Sequence, residues 1–185
     1  MKTLLTVILL LFFISCKNEN KENKPKNQNE PLKETLGEVL SILSNDFSYK
    51  DKILLHREFY PDNVKRIYTQ KYLEFGKIDS VKVSLVQKLL ISIDDSVKLD
   101  FHSKTYGSTK IYESSESNEI ESKAVFGLIS FSNVIFSKSG EKACYYLSIN
   151  CGNECGAGFL VFSDRIGELW TVDEIIKIWG GGEMK

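Results

Sequence analysis

Cysteine offers the most chemistry in this sequence. Three of its four cysteines, Cys144, Cys151 and Cys155, stand between Ala143 and Val172, beside Gly152, Gly156 and Gly158. A pair spaced C-x3-C can form a structural disulfide, a redox couple or part of a thiolate metal site. The spacing is not the C-x-x-C of thioredoxin-like enzymes, and three cysteines without a histidine nearby make a poor zinc set. The glycines match neither G-x-G-x-x-G nor a P-loop, and a strand follows them, so no helix N-terminus is available to a phosphate. His56 and His102 lie outside any H-E-x-x-H, and there is no G-x-S-x-G elbow. His102 stands two residues from Asp100 but has no identified nucleophile. Asp94, Asp95 and Asp100 lack the ligand spacing and bend glycine of a Ca²⁺ loop. No metal and no cofactor is implied, and the chain reads more readily as a non-enzyme than as an enzyme.

A second candidate is a surface for binding. From Tyr49 to Lys77, aromatic residues alternate with lysines and arginines, a mixture that can stack on and neutralise a ligand. Asp51, Glu58, Asp62 and Glu74 dilute that charge, so a core with a solvated face is the simpler reading. Tyr60, Arg66, Tyr68 and Tyr72 are the residues a ligand would meet.

The start of the chain decides the compartment. Met1-Lys2-Thr3 is a short basic lead, Leu4 to Ile14 is an apolar run of signal-peptide length, and a cysteine follows at position 16. The run is too short to span a bilayer core. Phe13-Ile14-Ser15-Cys16 resembles the lipobox of bacterial lipoproteins, with Phe13 where leucine is commoner. The resemblance implies cleavage before Cys16 and lipidation of its thiol, giving residues 1–15 as signal peptide. Several acyl chains anchor stably where one is marginal. Residues 16–31 then hold the lipidated cysteine and a tether: Lys17 to Pro31 has no aliphatic or aromatic residue, a composition that predicts disorder. Lys17 after the cysteine resembles an outer-membrane address, with the leaflet undetermined.

Export sets the redox expectation. In an oxidising compartment Cys151 and Cys155 are more readily a bridged staple than a redox or metal pair. A loop of that length would contribute about 2 kcal/mol, less any strain. Cys144 has the opposite strand parity and reads as a small buried hydrophobe, with its pairing left open. Losing residues 1–15 takes Lys plus Arg from 24 to 23 against 25 acidic residues, which excludes the basic balance of a nucleic-acid protein. The implied partners are the membrane, through the anchor, and an envelope protein or glycan.

The elements that position these residues follow from periodicity. About 150 residues, 32–185, suit one domain. Leu32, Leu36, Val39, Leu40 and Leu43 form one helical stripe after Pro31. Residues 78–101 are ambiguous between strand and helix. Ser114 to Ser122 reads as an acidic loop, and Gly127 to Phe136 as one strand. Ala143, Tyr145, Leu147, Ile149 and Cys151 alternate like a strand with one buried face. An eight-residue glycine loop, Cys151 to Gly158, then leads to a strand at Phe159 to Phe162, a turn at Asp164 to Gly167 and a strand at Leu169 to Val172. Ile175 to Trp179 fits a last strand or a short helix.

Ser132, Phe136, Ala143, Cys151, Gly152, Cys155, Gly156, Gly158, Gly167 and Trp170 together resemble the C-terminal third of a set of Bacteroidota lipoproteins with a CG-x-x-CG-x-G strand-loop-strand motif. No activity comes with the resemblance. It implies an α+β domain with a C-terminal antiparallel sheet and a helix around Asp94 to Lys104. The expectation is therefore an α+β fold: an N-terminal amphipathic helix on a mainly antiparallel sheet that ends in a β-meander. Its expected role is that of a membrane-anchored binding or envelope-accessory module, with a small exported hydrolase or thiol enzyme as the rival.

Overall fold

The computed structural model describes residues 28–47, 53–56, 63–75, 79–92, 104–106, 109–113, 125–152 and 155–181. Among them are three helices, α1 (Glu30–Phe47), α2 (Asn63–Phe75) and α3 (Ser80–Ser92). The strands are β1 (Ile53–His56), β2 (Lys104–Tyr106), β3 (Thr109–Glu113), β4 (Val125–Phe131), β5 (Ile135–Phe136), β6 (Lys142–Gly152), β7 (Cys155–Ile166) and β8 (Leu169–Gly181). They form one sheet in the order β2-β3-β1-β4-β6-β7-β8, with β5 beside β6. Strand β1 runs parallel to β3 and β4, and the other pairings are antiparallel. The fold is α+β, and its C-terminal half is a meander.

All five residues of the predicted α1 stripe are buried, and they pack on one face of the sheet against Tyr145, Leu147, Ile149, Phe159 and Val161. Cys144, Tyr146, Leu160 and Phe162 point to the other face, where Leu85, Val86 and Leu89 of α3 cover them. This corrects the reading of β6 as a strand with one buried face. Residues 143 to 149 are buried on both sides because helices lie on both faces, and alternation alone does not distinguish a tyrosine under a helix from one in water. The ambiguous stretch 78–101 is helical over Ser80–Ser92, with Asp79 just before the helix, and positions 78 and 93–101 lie outside the described residues. Of the helix expected around Asp94 to Lys104, only Lys104 is described, and it begins β2. The expected loop Ser114 to Ser122 lies outside the described residues.

Three connections differ from expectation. The run Gly127 to Phe136 is divided between β4 and β5 at Ser132 to Val134. The Ser132 N–H donates to the Tyr146 carbonyl at 2.9 Å, while the Ser132 hydroxyl accepts from the Tyr146 N–H at 2.8 Å. The hydroxyl thus fills the place a strand carbonyl would hold, and the backbone can bend away. The glycine loop is shorter than read: Gly152 pairs with Cys155, leaving two residues between the strands, and Gly156 and Gly158 belong to β7. The turn expected at Asp164 to Gly167 falls later, since β7 reaches Ile166 and pairs it with Leu169 across Gly167-Glu168. Gly167 takes φ 66°, as the first position of a primed hairpin turn requires. Beyond it β8 is a single strand to Gly181, with Asp173 and Ile178 as bulged extra residues opposite β7.

Candidate functional site

The most developed polar site is where α3 meets β8. Asp79 precedes the helix and accepts the N–H groups of Val81 and Lys82, both at 2.8 Å, which caps α3. Those hydrogen bonds, the one from Lys82 foremost, hold the Asp79 carboxyl below its ordinary pKa. One turn in, the Lys82 ammonium lies 2.8 Å from Asp173 and 2.6 Å from Glu174. Adjacent strand residues ordinarily face opposite ways, and the bulge at Asp173 brings both carboxylates to one cation. Burial pulls the Lys82 pKa down, but the hydrogen bonds to Asp173 and Glu174 outweigh it and leave it above the ordinary value. The ammonium also stands 5.1 Å from the centre of the Phe162 ring. Tyr72 of α2 packs on the same cluster, its pKa raised by burial and then by the charge of Glu174. With its charge neutralised twice over, Lys82 acts here as a clamp between helix and strand.

A second polar group lies on the same face, farther along the sheet. The Trp179 indole N–H donates to the Tyr146 hydroxyl at 2.6 Å, and Tyr146 is fully buried. A Cβ on Gly158 would fall 2.0 Å from the indole nitrogen and 2.2 Å from the Tyr146 oxygen, so only glycine fits beneath the pair. Next to it the hydroxyls of Ser130 and Ser148 bond each other at 2.7 Å. On the opposite face the Thr35 hydroxyl bonds Tyr145 at 2.9 Å, so each neighbouring tyrosine of β6 has a partner on its own side.

The cysteines divide by environment. Cys151 is disulfide-bonded. The backbone of Cys155 starts β7 opposite Gly152, and its side chain lies outside the described residues. Cys144 is free and fully buried, as its parity suggests, and burial pushes its thiol pKa well above the usual range, which keeps it protonated and unreactive.

The candidate ligand residues lie on or near α2. Arg66 and Tyr68 belong to that helix with side chains outside the described residues, and Tyr60 lies outside them altogether. Tyr72 is half-buried against the α3 face. The solvent side of α2 shows Ile67, Gln70, Lys71 and Glu74. His56 ends β1 with its side chain undescribed, and Cys16, Asp94, Asp95, Asp100 and His102 lie outside the described residues. Among the described residues no group of three His, Cys, Asp or Glu is placed to hold a metal, and no helix is long and apolar enough to cross a membrane.

The Lys82 clamp escaped the sequence reading. Asp79-Ser80 carries a capping signature, but the partners of Lys82 are some ninety positions away and meet it only through a bulge. No protein-family profile, curated protein or solved structure matches the chain.

Proposed function

We propose that the chain is an outer-membrane lipoprotein whose α+β domain serves as a non-enzymatic binding or envelope-accessory module, tethered through a lipidated Cys16. The observation that carries this reading is the sequence Met1 to Cys16: basic lead, short apolar run, then Phe13-Ile14-Ser15-Cys16. The disulfide at Cys151 supports export, because such bonds persist in oxidising compartments. The burial of Cys144 argues against a thiol enzyme working through that residue. Both faces of β6 and β7 are filled by helices, so an envelope protein or glycan would be met on the outer surface of the domain and not on the sheet between them.

Detergent phase partition of the chain expressed with its leader tests the reading. The wild-type protein is expected in the detergent phase, and Cys16→Ala in the aqueous phase or retained as uncleaved precursor. Identical cleavage and partition of the two would refute lipidation at Cys16.

A further inference from the structure

The end of the molecule from which α1 starts also exposes a pair of large apolar side chains. Ile166 and Leu169 are 68% and 65% exposed. They pair directly across the β7–β8 turn, so both project from the same face of the hairpin. A Cβ added at Gly167 would meet nothing within 4 Å, so the turn stands clear of the rest of the domain.

The direction of α1 is fixed by two hydrogen bonds along β8. The Trp170 N–H donates to Glu34 at 2.7 Å and the Val172 N–H donates to Glu38 at 3.1 Å. Helix and strand therefore advance together, and lower numbers on α1 lie toward the hairpin turn. Glu30, the first residue of α1, is at the Leu169 end. The chain entering α1 comes from Cys16, and the residues between them span at most about 50 Å fully extended. An anchor at Cys16 is thus joined to the domain at this end, which puts the hairpin tip within reach of the bilayer.

We infer that the β7–β8 hairpin tip is a second membrane contact, with Ile166 and Leu169 entering the bilayer interface once the chain is anchored. The inference rests on the lipid-anchor reading. Two aliphatic side chains bind a membrane weakly alone, but tethering turns their insertion into an intramolecular step at high effective concentration. The charges on and beside the hairpin are mixed: Arg165 and Glu168 belong to it, Glu141 lies beside Arg165, whose N–H donates to the Glu141 carbonyl, and Lys142 is paired with Asp164 at 2.6 Å. Insertion is accordingly driven by apolar burial and is insensitive to salt. The occupant is the lipid interface itself, with no requirement for anionic headgroups.

The test uses the full chain, its acylated N-terminus verified by mass, in phosphatidylcholine vesicles. An environment-sensitive fluorescent amino acid is placed at position 169 or at position 42. Ile42 is 45% exposed and lies about 18 Å along α1 from Glu30, away from the tip. The expected result is a blue shift at 169, unchanged in high salt and quenched by a lipid-borne quencher, with no shift at 42. Equal emission at the two positions, or no shift at 169 in a verified acylated sample, overturns the inference. A shift at 169 in an anchor-free chain without vesicles also overturns it, in favour of self-association. If Cys16 carries no lipid, the anchor reading fails by itself, and the chain joined through Cys16 to a maleimide lipid then decides the tip by the same emission.

Discussion

The two faces of the sheet are held by different physics. Under α1, seventeen described residues form a buried apolar cluster, beside which the Thr35 hydroxyl bonds Tyr145. Under α3 the cluster has seven, and a partly exposed cation clamped by two carboxylates supplements it. The first face gains stability from area removed from water, which scales with its apolar surface. The second is smaller and relies on geometry: a capped helix, a bulge and an ion triad. The first is thus expected to carry stability and the second to fix where α3 sits.

Truncations sharpen this contrast most. Leu36→Ala on α1 leaves a cavity in the larger cluster and is expected to cost toward the upper end of about 2–5 kcal/mol. Leu89→Ala on α3 should fall toward the lower end of that range, since the thinner layer relaxes more easily. Urea denaturation of both variants checks the order, and a larger loss at Leu89 would break the comparison. Gly158→Ala comes next. The new methyl collides with Trp179 and Tyr146 and should cost about 1–3 kcal/mol by overpacking. Thermal unfolding would show it, and the change in Trp179 environment should appear in near-ultraviolet circular dichroism.

Glu34→Ala removes the acceptor of the Trp170 N–H at the outer edge of β8, for about 1 kcal/mol. Its sharper consequence is association. Glu34 and Glu38 occupy donors of an edge strand that would otherwise be open to pairing, so the double variant Glu34→Ala, Glu38→Ala should scatter light increasingly with concentration while the parent does not.

The smallest effect belongs to the clamp. Lys82→Met should cost about 1 kcal/mol or less, because Asp173 and Glu174 are about a third to a half exposed and screened. Added salt should weaken the parent more than the variant. The folded-state pKa of Lys82 is raised, so its contribution is complete below the unfolded lysine value and disappears as pH rises beyond it. Asp79 works in the opposite sense: its pKa is lowered, so its contribution is present above the unfolded value and disappears as pH falls through the folded one. Stability measured between acidic and alkaline limits should therefore fall at both ends, with the alkaline loss reduced but not abolished in Lys82→Met, because Lys142, Cys144 and Tyr145 also have raised values in the folded state.

Legibility in the sequence follows the same division. The α1 stripe is local, repeating every three or four positions, and all five residues are buried as expected. The parity of β6 correctly separates Ala143 and Tyr145 from Cys144 and Tyr146. What parity does not contain is a helix on the far side, so a strand buried on both faces read as half-exposed. The glycines after Cys151 read as a loop because glycine commonly marks loops. At Gly158 the cause is instead a tryptophan from the adjacent strand that fills the space above the backbone. The clamp was illegible for the same reason: Lys82, Asp173 and Glu174 become a site only after two distant segments pack and a bulge turns one carboxylate. Of the candidate ligand residues, Tyr72 alone has a described side chain, and it packs toward the core.

The proposal that this molecule is an anchored module rests finally on Cys16. The most direct test is the mass of the N-terminal peptide from protein recovered in the membrane fraction. A peptide beginning at Cys16 and carrying acyl mass is the expected result. A peptide beginning elsewhere, or one starting at an unmodified Cys16, would contradict the account.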